Sequence, residues 1–110
     1  MRNVNVKALR QKAELSQEEL ARLLDTSWVT VSRWERHVAK PNPEASARLQ
    51  RLLELLRRIR KALPPEELFR FLETPSPLLR GHRPVDLLKS DYAFEDLLAY
   101  VESAKSGDMA

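Results

Sequence analysis

The chain reads as all-α: an N-terminal helix-turn-helix bundle joined by a long helix to a small C-terminal helical domain. Three observations carry that expectation. Only two glycines stand in 110 residues that are rich in leucine. Along residues 45–63 apolar side chains recur at steps of three and four, the period of a helix rather than of a strand. Residues 15–41, LSQEELARLLDTSWVTVSRWERHVAKP, contain two short helical stripes joined by a turn, each with a polar start. A helix-turn-helix has that layout and presents its second helix to the major groove of DNA.

The elements follow in order. Ser16 can cap the first motif helix, and Glu19 three residues later completes a capping box. Leu20, Leu23 and Leu24 form its apolar stripe, and Ala21 is small where two helices cross. Asp25 falls at the turn, where a left-handed residue is needed; aspartate tolerates that conformation better than most. Thr26 or Ser27 caps the second helix, whose Val31 and Trp34 face the core. Asn42 and Pro43 open the long helix as cap and first-turn proline. Its Ala45, Leu49, Leu52, Leu56, Ile59 and Leu63 form a heptad seam. Leu53 and Leu55 widen the apolar surface, which favours a core helix shared by both halves over a free coiled coil. Arg57, Arg58, Arg60 and Lys61 near its end suit the helix dipole.

Pro64 and Pro65 are expected to end that helix and to divide the chain into domains 1–63 and 64–110. A short helix follows over residues 66–73, then a turn cluster, Thr74-Pro75-Ser76-Pro77. Leu78 to Arg80 make one helical turn ended by Gly81. Pro84 opens another short helix over 85–89. Asp91 is expected to cap a last helix over 92–105, with Phe94, Leu97, Leu98 and Val101 inward.

Charge separates the two halves. Residues 1–63 hold 14 Lys or Arg against 7 Asp or Glu, a balance of +7, and residues 64–110 hold 5 against 9, a balance of −4. A basic half attracts a polyanion, and an acidic half faces something else. No run of eighteen apolar residues suggests a membrane span. The opening MRNVNVKALRQK lacks the apolar stretch of a signal peptide. The absence of cysteine fits the cytosol.

The segment resembles the Xre family, the helix-turn-helix of phage repressors and Cro, through Leu15, Ser16, Gln17, Glu18, Leu20, Ala21, Leu24, Ser27, Val31, Ser32, Trp34, Glu35 and Pro41. The resemblance spans about residues 3–56. It implies that Gln17 contacts the DNA backbone and that exposed positions early in the second helix read bases. Those positions hold Trp28, Val29, Ser32 and Arg33, and the capping Ser27 is a further DNA-facing candidate. Arg33 suits guanine O6 and N7, and Trp28 or Val29 suits a thymine methyl. Thr30, Arg36, Lys40 and His37 would reach phosphates. A competing reading places the Trp28 ring in the core. The chain departs from the family where Asp25 replaces the usual Gly or Asn, and where Trp28 and Val29 replace polar readers. The resemblance also implies an ion pair between Arg10 and Glu35 that orients the first helix on the recognition helix. Homodimers on paired half-sites are expected, because one motif touches few base pairs.

Residues 64–107 resemble the toxin-binding domain of the Xre/MbcA/ParS antitoxins. The resemblance rests on Phe71-Leu72-Glu73-Thr74-Pro75, Leu79, Gly81, Pro84, Leu87-Leu88 and Ser90-Asp91. Phe71 stands for the family's Trp and Ser76 for its Asn, and Tyr92-Ala93 replace a common glycine. The resemblance implies a bacterial, cytoplasmic, nucleoid-associated antitoxin that represses its own operon and holds a toxin of the RES class. Thr74, Ser76, Arg80, His82 and the tail residue Asp108 are the candidate toxin contacts. Two other readings compete. An enzyme is disfavoured: His37 and His82 are the only histidines, and neither has a nucleophile or metal-ligand spacing around it. No cofactor is expected. The stronger rival is an ordinary Xre repressor whose acidic half dimerises it or senses a ligand; an antitoxin should have a small toxin gene next door, and a plain repressor need not.

Overall fold

A short polar side chain starts each of the first four helices by accepting a hydrogen bond from an N–H that the helix itself leaves unpaired. The computed structural model describes residues 4–105. Helix α1 (Val6–Lys12) is capped by Asn5 Oδ1, which accepts from Ala8 N at 3.0 Å. Helix α2 (Gln17–Leu23) has the full capping box: Glu19 N donates to Ser16 Oγ at 3.0 Å, and Ser16 N donates to Glu19 Oε1 at 2.9 Å. Ser27, not Thr26, caps α3 (Trp28–Glu35). Asn42 caps α4 (Pro43–Ile59), with Pro43 in the first turn.

The first three helices also end alike. The residue that leaves each helix is left-handed: Glu14 at φ 54°, Asp25 at 54° and His37 at 60°. In each case the next N–H reaches the carbonyl five residues back: Leu15 to Arg10 at 3.0 Å, Thr26 to Ala21 at 2.9 Å, and Val38 to Arg33 at 2.9 Å. This is the Schellman termination, usually built on glycine. Here polar side chains adopt it, at roughly 1–2 kcal/mol of strain per residue. The scarcity of glycine therefore does not mean a scarcity of tight turns.

The second half is built from shorter pieces. A 3-10 turn (Pro65–Glu67) leads into α5 (Leu68–Glu73). Further 3-10 turns at Pro77–Leu79 and Pro84–Leu88 precede α6 (Asp91–Lys105). Among the described residues there is no strand. Arg80 and Gly81 are both left-handed, at φ 58° and 82°. Open space surrounds the missing Cβ of Gly81, so the dihedral requires the glycine and the packing does not.

Four expectations need correction. Helix α4 ends at Ile59, four residues before Leu63, and the chain tightens so that Ala62 N donates to Ile59 O at 2.9 Å. Pro64 disfavours the helical region for Leu63, and the helix unwinds ahead of it. The buried face of α4 is Leu49, Leu52, Leu55 and Ile59, and Leu56 is only half-buried. A heptad seam needs a partner helix along its whole length, and the alternative of a core helix shared by both halves is the one that holds. Helix α4 packs on α6 and the Pro84–Leu88 turn, and follows the 3.6-residue period of a core helix. The helices expected over 66–73 and 85–89 are wholly or partly 3-10, where prolines set tight starts. Finally, Ser90 caps α6 by accepting from Ala93 N at 3.1 Å, and Asp91 lies inside the helix.

One buried cluster runs from Val6 to Val101 through both halves. Ion pairs bridge the halves around it. Arg22 on α2 meets Glu73 on α5 at 2.9 Å. Arg51 on α4 donates to the Leu88 carbonyl at 2.8 Å and pairs with Asp91 at 3.0 Å. The Leu88 carbonyl at the end of its 3-10 turn thus finds a charged donor, which satisfies an acceptor that the turn itself leaves unpaired.

Candidate nucleic-acid interface

An ion pair joins the first helix to the end of α3. Arg10 Nε donates to Glu35 Oε2 at 2.6 Å and Arg10 Nη2 donates to Glu35 Oε1 at 3.1 Å, a bidentate fork. Arg10 Nη1 also donates to the Leu15 carbonyl at 3.0 Å. Little water reaches the pair; the side chains are 17% and 6% exposed. The hydrogen bond from Arg10 holds the Glu35 carboxyl below its ordinary range against the opposite push of burial, and an amide hydrogen bond from Gln17 and the charges of Arg10 and Lys7 add to this. The same pairing raises the Arg10 guanidinium. The first helix, the loop before α2 and the end of α3 are tied at one point.

Gln17 belongs to this knot. It is half-buried, and its Nε2 donates to Glu35 Oε1 at 3.2 Å. That hydrogen bond holds the Gln17 side chain in place.

Helix α3 turns Val31 and Trp34 into the core and exposes its opposite face. Trp28 is 55% exposed and Val29 41%, so the tryptophan ring lies outside the core. Ser27, Arg33, Arg36, His37 and Lys40 are exposed, and Thr30 and Ser32 are half-buried. The hydroxyls are engaged locally. Ser27 Oγ lies 2.9 Å from Thr30 Oγ1 and accepts from Thr30 N. Ser32 Oγ accepts from Arg36 Nε at 3.2 Å. A cleft of ≈ 450 Å³ beside α3 is lined by Thr26, Thr30, Arg33, Lys40 and Arg48 among others. Arg48 is a cation that the sequence reading missed. It looks like an ordinary surface pair with Glu44 four residues earlier, which it also makes, at 3.2 Å. Only the fold brings it beside Arg33 and Lys40.

In the second half, Arg80 and His82 line a groove of ≈ 540 Å³ with Leu78, Leu87, Tyr92 and Tyr100. Thr74 and Ser76 do not line it. Thr74 Oγ1 donates to the Arg70 carbonyl at 2.6 Å, and Ser76 Oγ accepts from Leu78 N at 3.2 Å. Ser76 also receives Gly81 N on its carbonyl at 2.8 Å. Both residues shape the turn. Leu78 (65% exposed) and Tyr92 (87%) stand at the groove and were not singled out as contacts from sequence. Tyr92 lies outside the inward stripe Phe94, Leu97, Leu98 and Val101, and that was the available signal. Asp108 lies outside the described residues. Arg83 forks onto Asp86, whose carboxyl it holds below the ordinary range chiefly by hydrogen bonding. Among the described residues, no group of three or more His, Cys, Asp or Glu could hold a metal ion. No described helix is long and apolar enough to cross a membrane.

A capped helix, a left-handed turn and a second helix with one buried and one exposed face define a helix-turn-helix, and residues 6–57 match that family. They form an Xre-type helix-turn-helix domain at the N-terminus. The whole fold is similar to a chain in the crystal structure of the M. tuberculosis MbcT–MbcA toxin–antitoxin complex. The TM-score is 0.76 at 24% identity, covering 96% of this chain and 95% of that one. A search of curated proteins finds no match.

Proposed function

We propose that this protein is the DNA-binding antitoxin of a toxin–antitoxin pair. Its α3 would bind operator DNA and repress its own operon, and its C-terminal half would hold a toxin, of the RES class that the sequence resemblance implies. The observation that carries this reading is a fold that follows a chain of a toxin–antitoxin complex over 96% of its length, with a helix-turn-helix at residues 6–57. The charge split supports the division of labour, with the +7 half for DNA and the −4 half for protein. The reading assigns no catalytic role to any residue and needs no cofactor. It places the protein in a bacterial cytoplasm, on the nucleoid. The boundary between the two functions falls near residue 63.

A homodimer on two half-sites about one helical turn apart belongs to the same reading. Leu53 and Leu56 of α4, with Leu63 beyond its end, line a groove of ≈ 240 Å³, and they supply apolar surface for such pairing.

Two experiments test the reading. Arg33→Ala should weaken binding to a selected duplex by about 1–3 kcal/mol and relax specificity at one base position. Equal losses on selected and random duplexes would remove Arg33 as a base reader. For the second half, the gene beside this one is co-expressed with the wild type, with Arg33→Ala, and with Leu78→Glu and Tyr92→Glu. Growth protection should survive Arg33→Ala and fall with the groove variants. Stopping the chain after Leu63 is a poorer test, because it strips the cover from Leu52, Leu55 and Ile59. If no neighbouring product is toxic or binds, the protein is a plain repressor whose second half serves dimerisation or ligand sensing.

A further inference from the structure

We propose that α3 selects its operator through the 5-methyl groups of thymine, read by Trp28 and Val29. This rests on the DNA-binding reading above and adds to it the chemical feature that is recognised. A recognition helix ordinarily reads base edges with hydrogen-bonding side chains. Here part of that capacity is engaged within the protein. The hydroxyls of Ser27 and Thr30 are 2.9 Å apart, and Ser27 Oγ also accepts from Thr30 N. Ser32 Oγ accepts from Arg36 Nε at 3.2 Å. Among the described residues of α3, Arg33 is the one charged side chain on the exposed face with no hydrogen-bond partner. It supplies a single strong hydrogen-bonding contact.

The first turn of the helix carries two large apolar side chains in water instead, Trp28 at 55% and Val29 at 41% exposure. The thymine methyl is the apolar group on the major-groove edge of a standard base pair. Consecutive helical residues diverge by about 100°. Trp28 and Val29 therefore cover separate positions rather than one methyl together. Arg33 on the same helix, with Arg36 and Lys40 just beyond its end, all exposed, favour a polyanion over an apolar protein partner.

The experiment uses the full chain and a duplex enriched from a random-sequence pool. Each thymine is replaced in turn by deoxyuridine, which keeps the base pair and removes only the methyl. At one or two thymines of a half-site, affinity should fall about three- to tenfold per methyl. Val29→Ala and Trp28→Ala should bind more weakly and lose that sensitivity, each at its own thymine. Arg33→Ala should bind more weakly but keep it. At the same positions, 5-methylcytosine should bind more tightly than cytosine by a similar factor. Both substituted apolar residues are exposed, so the variants retain the fold, which circular dichroism checks. Uniform affinity across the deoxyuridine series overturns the inference and leaves DNA binding standing. Sensitivity that persists in both alanine variants also overturns it. Failure to enrich any duplex overturns the DNA-binding reading and this inference with it.

Discussion

Leu52→Ala is expected to lower stability by about 2–5 kcal/mol, the largest effect of any single substitution considered, because it removes buried methyl groups and leaves a cavity. Leu52 is fully buried in the middle of the inner face of α4. That face belongs to the one cluster that runs through both halves. The cavity should therefore weaken the whole molecule, not the helix-turn-helix alone. Urea unfolding followed by tryptophan fluorescence reports the N-terminal half, where both tryptophans lie. Far-ultraviolet circular dichroism reports all the helices. The two midpoints should coincide in the wild type and shift together in Leu52→Ala. Two separate transitions would mean that the halves fold independently and that the shared core couples them weakly.

Glu35→Ala should cost about 3 kcal/mol, mostly because it leaves the shielded Arg10 guanidinium without its partner. Arg10 is 17% exposed on its side chain, which keeps the figure at the lower end for a broken buried pair. The substitution also releases Gln17, whose amide donates to the same carboxylate. DNA affinity should therefore fall even under conditions where the variant remains folded, since α1, α2 and α3 lose their common tie. Glu35→Gln should be milder, because its carbonyl oxygen can still accept from Arg10.

The pair also predicts a pH dependence. The folded Glu35 carboxyl titrates below its ordinary value of 4.5, because Arg10 hydrogen-bonds to the charged form. The stabilisation is present above that unfolded value and disappears as the pH falls through the lowered folded value. Asp86 is lowered by Arg83 and acts in the same direction. Wild type should lose stability on acidification more steeply than Glu35→Gln. Parallel pH curves for the two proteins would show that the ion pair contributes nothing through its charge.

Much of this was legible in the chain. The caps at Ser16 and Asn42, the left-handed Asp25 and the inward Val31 and Trp34 are local consequences of side-chain chemistry, and they stand where residue pattern places them. The ends of elements were less legible. Leu63 continues an apolar period that the backbone abandons at Ile59, because periodicity records which residues are apolar and not where hydrogen bonding stops. The 3-10 turns at Pro77–Leu79 and Pro84–Leu88 share the composition of short helices and differ only in hydrogen-bond register.

The sequence by itself determined the all-helical class, the capped helix-turn-helix, and the buried stripe of α3, since each depends on neighbours within a few turns of the chain. Tertiary structure decided which charges meet and which apolar residues stay in water. Arg22 reaches Glu73 across fifty-one positions of chain, and Arg51 reaches Asp91 across forty. Arg48 joins Arg33 and Lys40 at one cleft, and Leu78 and Tyr92 flank one groove. Helical periodicity carries no information about such meetings. They follow from which helices distant in the chain pack together around the shared core, α2 on α5 and α4 on α6 among them.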